Sequence, residues 1–228
     1  MESATVLSFT PELTFDGVKN RFVTEDEDDL LLLRGLFEKA LEIARPKAIL
    51  RTCSVNSIDG DRVFIEEEAF HSAVLANKLK DIHRVFAYVV TCGTEVDDWS
   101  HEEKDDIVKL WLDMMKEMIL ISVRGQFVAH LRRITGIEKL ASMSPGSGNA
   151  EVWPIHQQKP LFRLIGNVTE KIGTRLTDSF LMLPTKSVSG ILYPSEVTFV
   201  TCSLCDRAHC VGRHAPYDEK LAAELQKV

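Results

Sequence analysis

Six consecutive apolar residues, Val85-Phe86-Ala87-Tyr88-Val89-Val90, set the strongest limit on what this chain can fold into. Their β-branched and aromatic side chains suit extended backbone. A strand with one wet face would alternate apolar and polar positions, and this run does not, so it predicts a central strand buried on both faces. The run leads into Thr91-Cys92-Gly93-Thr94 and an acidic stretch reaching Asp106. A helical pattern follows from about Asp105 to Arg133. Its middle (Met114, Met115, Met118, Ile119, Leu120, Ile121, Val123) is apolar nearly all round, which reads as the central core helix. Its methionines fit core packing better than an adaptable binding surface.

The flanking segments supply shorter elements. Thr5 to Phe15 carries β-type alternation broken at Pro11. Thr24 is placed to cap a helix whose first turn, Glu25 to Asp29, is acidic and suits the positive end of the helix dipole. That helix is expected to end before Pro46. Ala48–Val55 and Arg62–Ile65 read as strands joined through Asp59-Gly60-Asp61, and Glu66–Lys80 as a helix. Beyond the long helix, Lys139–Ala150 reads as a loop and Gln158–Ile165 as a helix. Val168–Leu176 is a helix or turn. Strands are expected at Ser179–Leu183, Val188–Tyr193 and Val197–Cys202, and a short helix at Pro216–Lys227. Helices and strands mix without a steady βαβ rhythm, so the fold class is α+β: one domain over residues 1–228, with a mixed, largely antiparallel twisted sheet and a long central helix.

Composition removes several function classes. The chain has 228 residues, near the upper end of what one hydrophobic core organises. A formal net charge of −7 argues against nucleic-acid phosphates and anionic lipid as partners. No segment approaches the roughly 20 apolar residues that cross a bilayer, and the N-terminus lacks the regions of a signal peptide, so the expected location is cytoplasmic. No Ser-His-Asp set, phosphate-binding loop or dinucleotide fingerprint is present. Cys53 and Cys92 lie on or near apolar strands and read as small core hydrophobes. His71, His83, His101 and His130 read as surface or capping residues. Glu95, Asp97 and Asp98 stand at a helix start, which gives them a structural role.

Motif order carries more information than any single motif. Val89-Val90-Thr91-Cys92-Gly93-Thr94-Glu95 comes first, followed by the long helix and then Ser144-Pro145-Gly146. Asp178-Ser179-Phe180-Leu181-Met182-Leu183-Pro184 comes last and runs into Ser187-Val188-Ser189-Gly190. Physically, Pro145-Gly146 can turn sharply and leave backbone groups free for a ligand. Ser187 and Ser189 share one strand face, and Gly190 permits close approach of another backbone or a cofactor. The plain alternative is a surface turn and a bulge. In order and spacing, the set resembles the reactivation domain of cobalamin-dependent methionine synthase over roughly residues 60–200.

That resemblance implies an S-adenosylmethionine site walled by Ser144, Pro145, Gly146, Ser187, Val188, Ser189 and Gly190. It also implies cobalamin held by a partner, either a corrinoid-binding protein or a cobalamin-dependent methyltransferase met transiently. On this reading the chain supports reductive methylation of the corrinoid and is not itself a complete enzyme. Replacing Gly190 with Leu is expected to block docking and leave the fold intact. Three positions depart from the family. Its Arg before the Pro-Gly loop, its Tyr after that loop and its Tyr after Ser-Val-Ser-Gly fall on Ser142, Ser147 and Leu192, while Tyr193 would face the opposite side.

The cysteine-rich turn at 202–214 lies outside what the resemblance interprets. Cys202, Cys205, Cys210 and His214 (or His209) have the ligand types and spacing of a closed zinc site. Three cysteines could also hold an iron–sulfur cluster with one open iron. Otherwise Cys202 is a strand residue and the rest are free thiols. A metal there would suit the alternative function, an interaction or electron-transfer module of corrinoid metabolism that has lost S-adenosylmethionine binding.

Overall fold

The computed structural model describes residues 3–149, 151–196, 201–210, 213 and 215–225. In chain order the elements are β1 (Thr5–Ser8), α1 (Phe15–Val18), α2 (Glu27–Ile43), β2 (Lys47–Asp59), β3 (Arg62–Ile65), β4 (Glu68–His71), α3 (Ala73–Leu79), β5 (Arg84–Thr91), α4 (Thr94–His101) and α5 (Asp106–Thr135). They continue with β6 (Leu140–Met143), α6 (Gln158–Ile165), α7 (Val168–Ile172), β7 (Arg175–Leu176), β8 (Met182–Leu183), β9 (Ser187–Pro194) and α8 (Glu219–Leu225). The main sheet runs β4-β3-β2-β5-β9-β6, with β1 also on β2, and every described strand pair is antiparallel.

The apolar run is the centre of this architecture. Phe86, Tyr88 and Val90 join a cluster with residues of α2 and α5, while Val85, Ala87 and Val89 join the cluster on the other face with α3, α6 and α7. Burying each such large apolar side chain contributes about 1.5–3 kcal/mol, so a strand apolar on both sides is stable only with cover on both. The fold is therefore a single α+β domain, one antiparallel sheet between two helical layers.

The long helix begins at Asp105, whose carboxylate accepts from the Ile107 and Val108 amides at 2.8 and 3.1 Å. It lies on one face of the sheet and is not enclosed. Leu112, Met115, Ile119, Val123, Phe127 and Leu131 form the buried stripe, while Ile107, Leu110, Ile121 and Ile134 are exposed. The buried side chains recur every three or four residues, as one-sided packing requires.

Several other expectations need correction. Asp26 caps α2, accepting from the Asp28 and Asp29 amides, while Thr24 instead donates to the Asp29 carboxylate. The expected helix at Glu66–Lys80 opens as β4 and becomes helical only after the Ser72 cap. The expected loop at Lys139–Ala150 begins as the edge strand β6. Of the expected strand Val197–Cys202, Thr201 and Cys202 lie in a short 3-10 helix, and residues 197–200 fall outside the described residues.

Candidate functional site

The sheet's β6 edge ends where the chain turns at Ser144-Pro145-Gly146-Ser147. Ser147 N donates to Ser144 O at 3.2 Å, and Gly146 has φ +80. Proline second and a positive-φ glycine third are the residues a type II turn asks for. A Cβ on Gly146 would also sit 2.9 Å from the Ile155 side chain. Several of the turn's backbone groups are engaged within the protein, where the sequence expectation had them free for a ligand. Gly146 N donates to Trp153 O at 2.7 Å, and Pro145 O accepts from Gln158 Nε2 at 3.2 Å.

Gln158 is the joint between turn and strand. Its Oε1 accepts from the buried Ser189 hydroxyl at 2.7 Å while its Nε2 holds Pro145, so one amide fixes the distance from β9 to the turn. The preceding residue anchors it. Gln157 exchanges hydrogen bonds with the His71 backbone and accepts from Trp153 Nε1 at 3.2 Å. Ser187 donates to Thr91 Oγ1 at 2.9 Å, which ties β9 to β5.

Between this edge and α5 lies a cleft of about 860 Å³. Six of the seven residues singled out for a ligand line it together: Ser144, Pro145, Gly146, Ser187, Val188 and Ser189. Gly190 is the exception. It faces the Met143 carbonyl, and a Cβ there would lie 2.3 Å from that oxygen, so the close approach is made by the neighbouring backbone. A leucine at Gly190 would thus disturb the fold and would not act as a clean block to docking.

Ser142, Ser147 and Leu192 also line the cleft, although none supplies the Arg or Tyr seen in the family. Ser142 Oγ is 3.0 Å from the Tyr88 hydroxyl. Tyr193 is buried on the opposite face, as expected, where burial pushes its phenol pKa up. The helical wall of the cleft, Ile121, Arg124, Gly125 and Val128, was not anticipated. Its one sequence signal is a polar-glycine pair inside an apolar helix.

The cysteine-rich turn meets this cleft through Thr201 and Cys202. Among the described residues no group of three or more His, Cys, Asp or Glu side chains is placed to hold a metal ion, and His214 lies outside those residues. The expected ligand set of Cys202, Cys205 and Cys210 is therefore not assembled: Cys205 is buried and Cys210 exposed. What organises the turn is the Arg213 guanidinium. It donates to the carbonyls of Cys202 at 3.5 Å, Cys205 at 3.2 Å and Ala215 at 3.1 Å, and also to that of Arg207. Cys53 and Cys92 are core residues as expected, and burial pushes both thiols up to about 12. In native protein at pH 8, alkylation should label Cys210 first and leave Cys53 and Cys92 untouched until denaturant is added. Mass spectrometry of the labelled peptides checks this, and native labelling of Cys92 would contradict the packing described.

Comparisons with known proteins bear on the fold. Residues 137–206 match the family model of the vitamin B12 dependent methionine synthase activation domain, a segment spanning β6, the turn, α6 and β9. Among solved structures, the chain is similar to the MetH reactivation domain bound to AdoHcy. The TM-score is 0.63 at 16% identity, over 87% of this chain and 80% of that one. No curated protein sequence matches the chain. The chain thus has the fold of the MetH reactivation domain, and the resemblance drawn from motif order holds. No helix among the described residues is long and apolar enough to cross a membrane.

Proposed function

We propose that the chain is a reactivation protein that binds S-adenosylmethionine in the cleft between β9 and α5 and presents it to a corrinoid held by a partner. One observation carries this reading: six residues picked by motif order, all inside the segment that matches the activation-domain family, converge on a single cleft. The solved relative binds AdoHcy, the demethylated form of the same cofactor.

The residues present fit such a ligand in size and character. The volume of about 860 Å³ lies within the roughly 300–1,000 Å³ usual for small-molecule sites. Val188, Leu192, Val128 and Met182 give apolar walls, and Ser144 and Ser147 stand at the turn. Bound S-adenosylmethionine would supply an electrophilic methyl group, the donor needed to remethylate a reduced corrinoid. The chain's own part is positioning: the described lining offers side-chain hydroxyls, one amide and one guanidinium to hold the ligand. Ile121, on the cleft wall, is exposed and gives a corrinoid-binding protein an apolar contact for brief docking.

A titration tests the reading directly. S-adenosylmethionine at a hundredfold excess over its dissociation constant should stabilise the fold by about 2.7 kcal/mol. In a chain this long that raises the melting temperature by roughly 5–10 °C. A flat thermal-shift curve into the millimolar range with both S-adenosylmethionine and AdoHcy would leave an interaction module that has lost the ligand.

A further inference from the structure

The family's carboxylate-binding Arg position is Ser142 here, yet the cleft does contain a guanidinium. We infer that Arg124 and Gly125, on the α5 wall, form a subsite in which Arg124 takes the carboxylate of the ligand's amino-acid end and Gly125 lets the ligand rest on the helix backbone. This rests on the proposed S-adenosylmethionine reading and adds to it a different element as anchor.

Charge supplies the first argument. Arg124 is the only Lys, Arg, Asp or Glu among the described lining residues. Its helical neighbours three and four positions away are Leu120, Ile121, Phe127 and Val128, so no carboxylate is available to it along α5. The helix carries no Asp or Glu between Glu117 and its end at Thr135. Both lysines of α5 have carboxylate partners: Lys109 is 2.8 Å from Asp106, and Lys116 is 2.8 Å from Asp97. Arg124, an exposed residue of the cleft wall, has no ion pair among the described residues. A planar fork of donors suits a carboxylate better than any other group in the lining could.

The remaining polar groups point the same way, because most are already engaged. Both ends of the Gln158 amide are used, Ser189 donates to it, Ser187 donates to Thr91, and Ser142 pairs with Tyr88. An anionic ligand end therefore has Arg124 as its charged partner, with Ser144 and Ser147 across the cleft.

Gly125 is the independent observation. Glycine inside a helix lowers helix stability, and it is kept where a side chain would be in the way. Among the described residues no atom lies within 4 Å of where its Cβ would be. Packing does not demand the glycine, and its open face is part of the cleft wall, where a ligand can rest on the helix backbone.

The test compares two ligands on four proteins by calorimetry: S-adenosylmethionine, and 5′-methylthioadenosine, which lacks the amino-acid end. Arg124→Gln should weaken S-adenosylmethionine at least tenfold and leave 5′-methylthioadenosine unchanged, with Arg124→Lys in between. Gly125→Ala should raise the melting temperature and weaken both ligands. Arg124→Gln binding S-adenosylmethionine within twofold of wild type, or losing both ligands equally, would overturn the Arg124 role with the functional reading intact. Undiminished binding by a stabilised Gly125→Ala would remove Gly125 from the subsite. Wild type that binds neither ligand would overturn the functional reading and this inference together.

Discussion

Lys116→Met should cost about 3–5 kcal/mol of stability, lowering the melting temperature by roughly 6–20 °C. Lys116 is 5% exposed and Asp97 is 7% exposed. The ammonium lies 2.8 Å from Asp97 Oδ1 and 2.9 Å from Ser100 Oγ, joining α4 to α5. Removing the cation leaves a buried carboxylate with only the His101 ring nitrogen, at 4.0 Å, recorded against its other oxygen. The loss comes from that orphaned charge more than from the missing attraction, so Asp97→Asn added to Lys116→Met should recover much of it. Calorimetric melts of the two single variants and the double one decide the matter. A single variant as stable as wild type, or a double variant that is simply the sum of two losses, would contradict the account. Ligand binding below the melting temperature should change little, since Arg124 and Gly125 lie two turns further along α5.

How much of this was legible in the sequence follows from where each signal resides. The β5 run and the α5 period are long local patterns, and both appeared within a residue or two of expectation. The strands β4 and β6, four residues each, were missed. Neither has a pattern of its own: Glu68–His71 is extended because β3 pairs with it, and Leu140–Met143 because β9 does. Six residues that line the cleft were picked out through motif order. Arg124 and Gly125 stayed hidden because their meaning depends on the turn at Ser144 lying across the cleft. The cysteine spacing suggested a metal, but spacing alone does not say that Arg213 gathers the carbonyls of that turn.

Gly190→Ala should lower stability and abolish ligand binding together, even though the added group is a single methyl. Its backbone is ordinary extended strand, so conformation is not the reason for the glycine. Space is. The new Cβ would lie 2.3 Å from Met143 O, 2.7 Å from Ser144 Oγ and 3.2 Å from Met143 C. A side chain could swing away from such a contact, but the carbonyl belongs to β6, which is held in register along β9 from Leu140↔Pro194 to Met143↔Ile191. Relief therefore requires the end of β6 to move, at a cost of about 1–3 kcal/mol for overpacking of this kind. That movement carries Ser144 with it, and Pro145 and Gly146 follow, so the turn wall of the cleft shifts while the β5 core stays packed. The expected result is a melting temperature lower by roughly 2–12 °C, faster amide exchange over residues 140–146, and no measurable S-adenosylmethionine binding. Gly190→Leu should go further and release β6 from the sheet edge. The opposite sign is expected at Gly125, where the same methyl meets open space and should raise the melting temperature. A Gly190→Ala variant with wild-type melting and exchange would mean that β6 yields freely, and the cleft would then lack the rigid edge that its geometry implies.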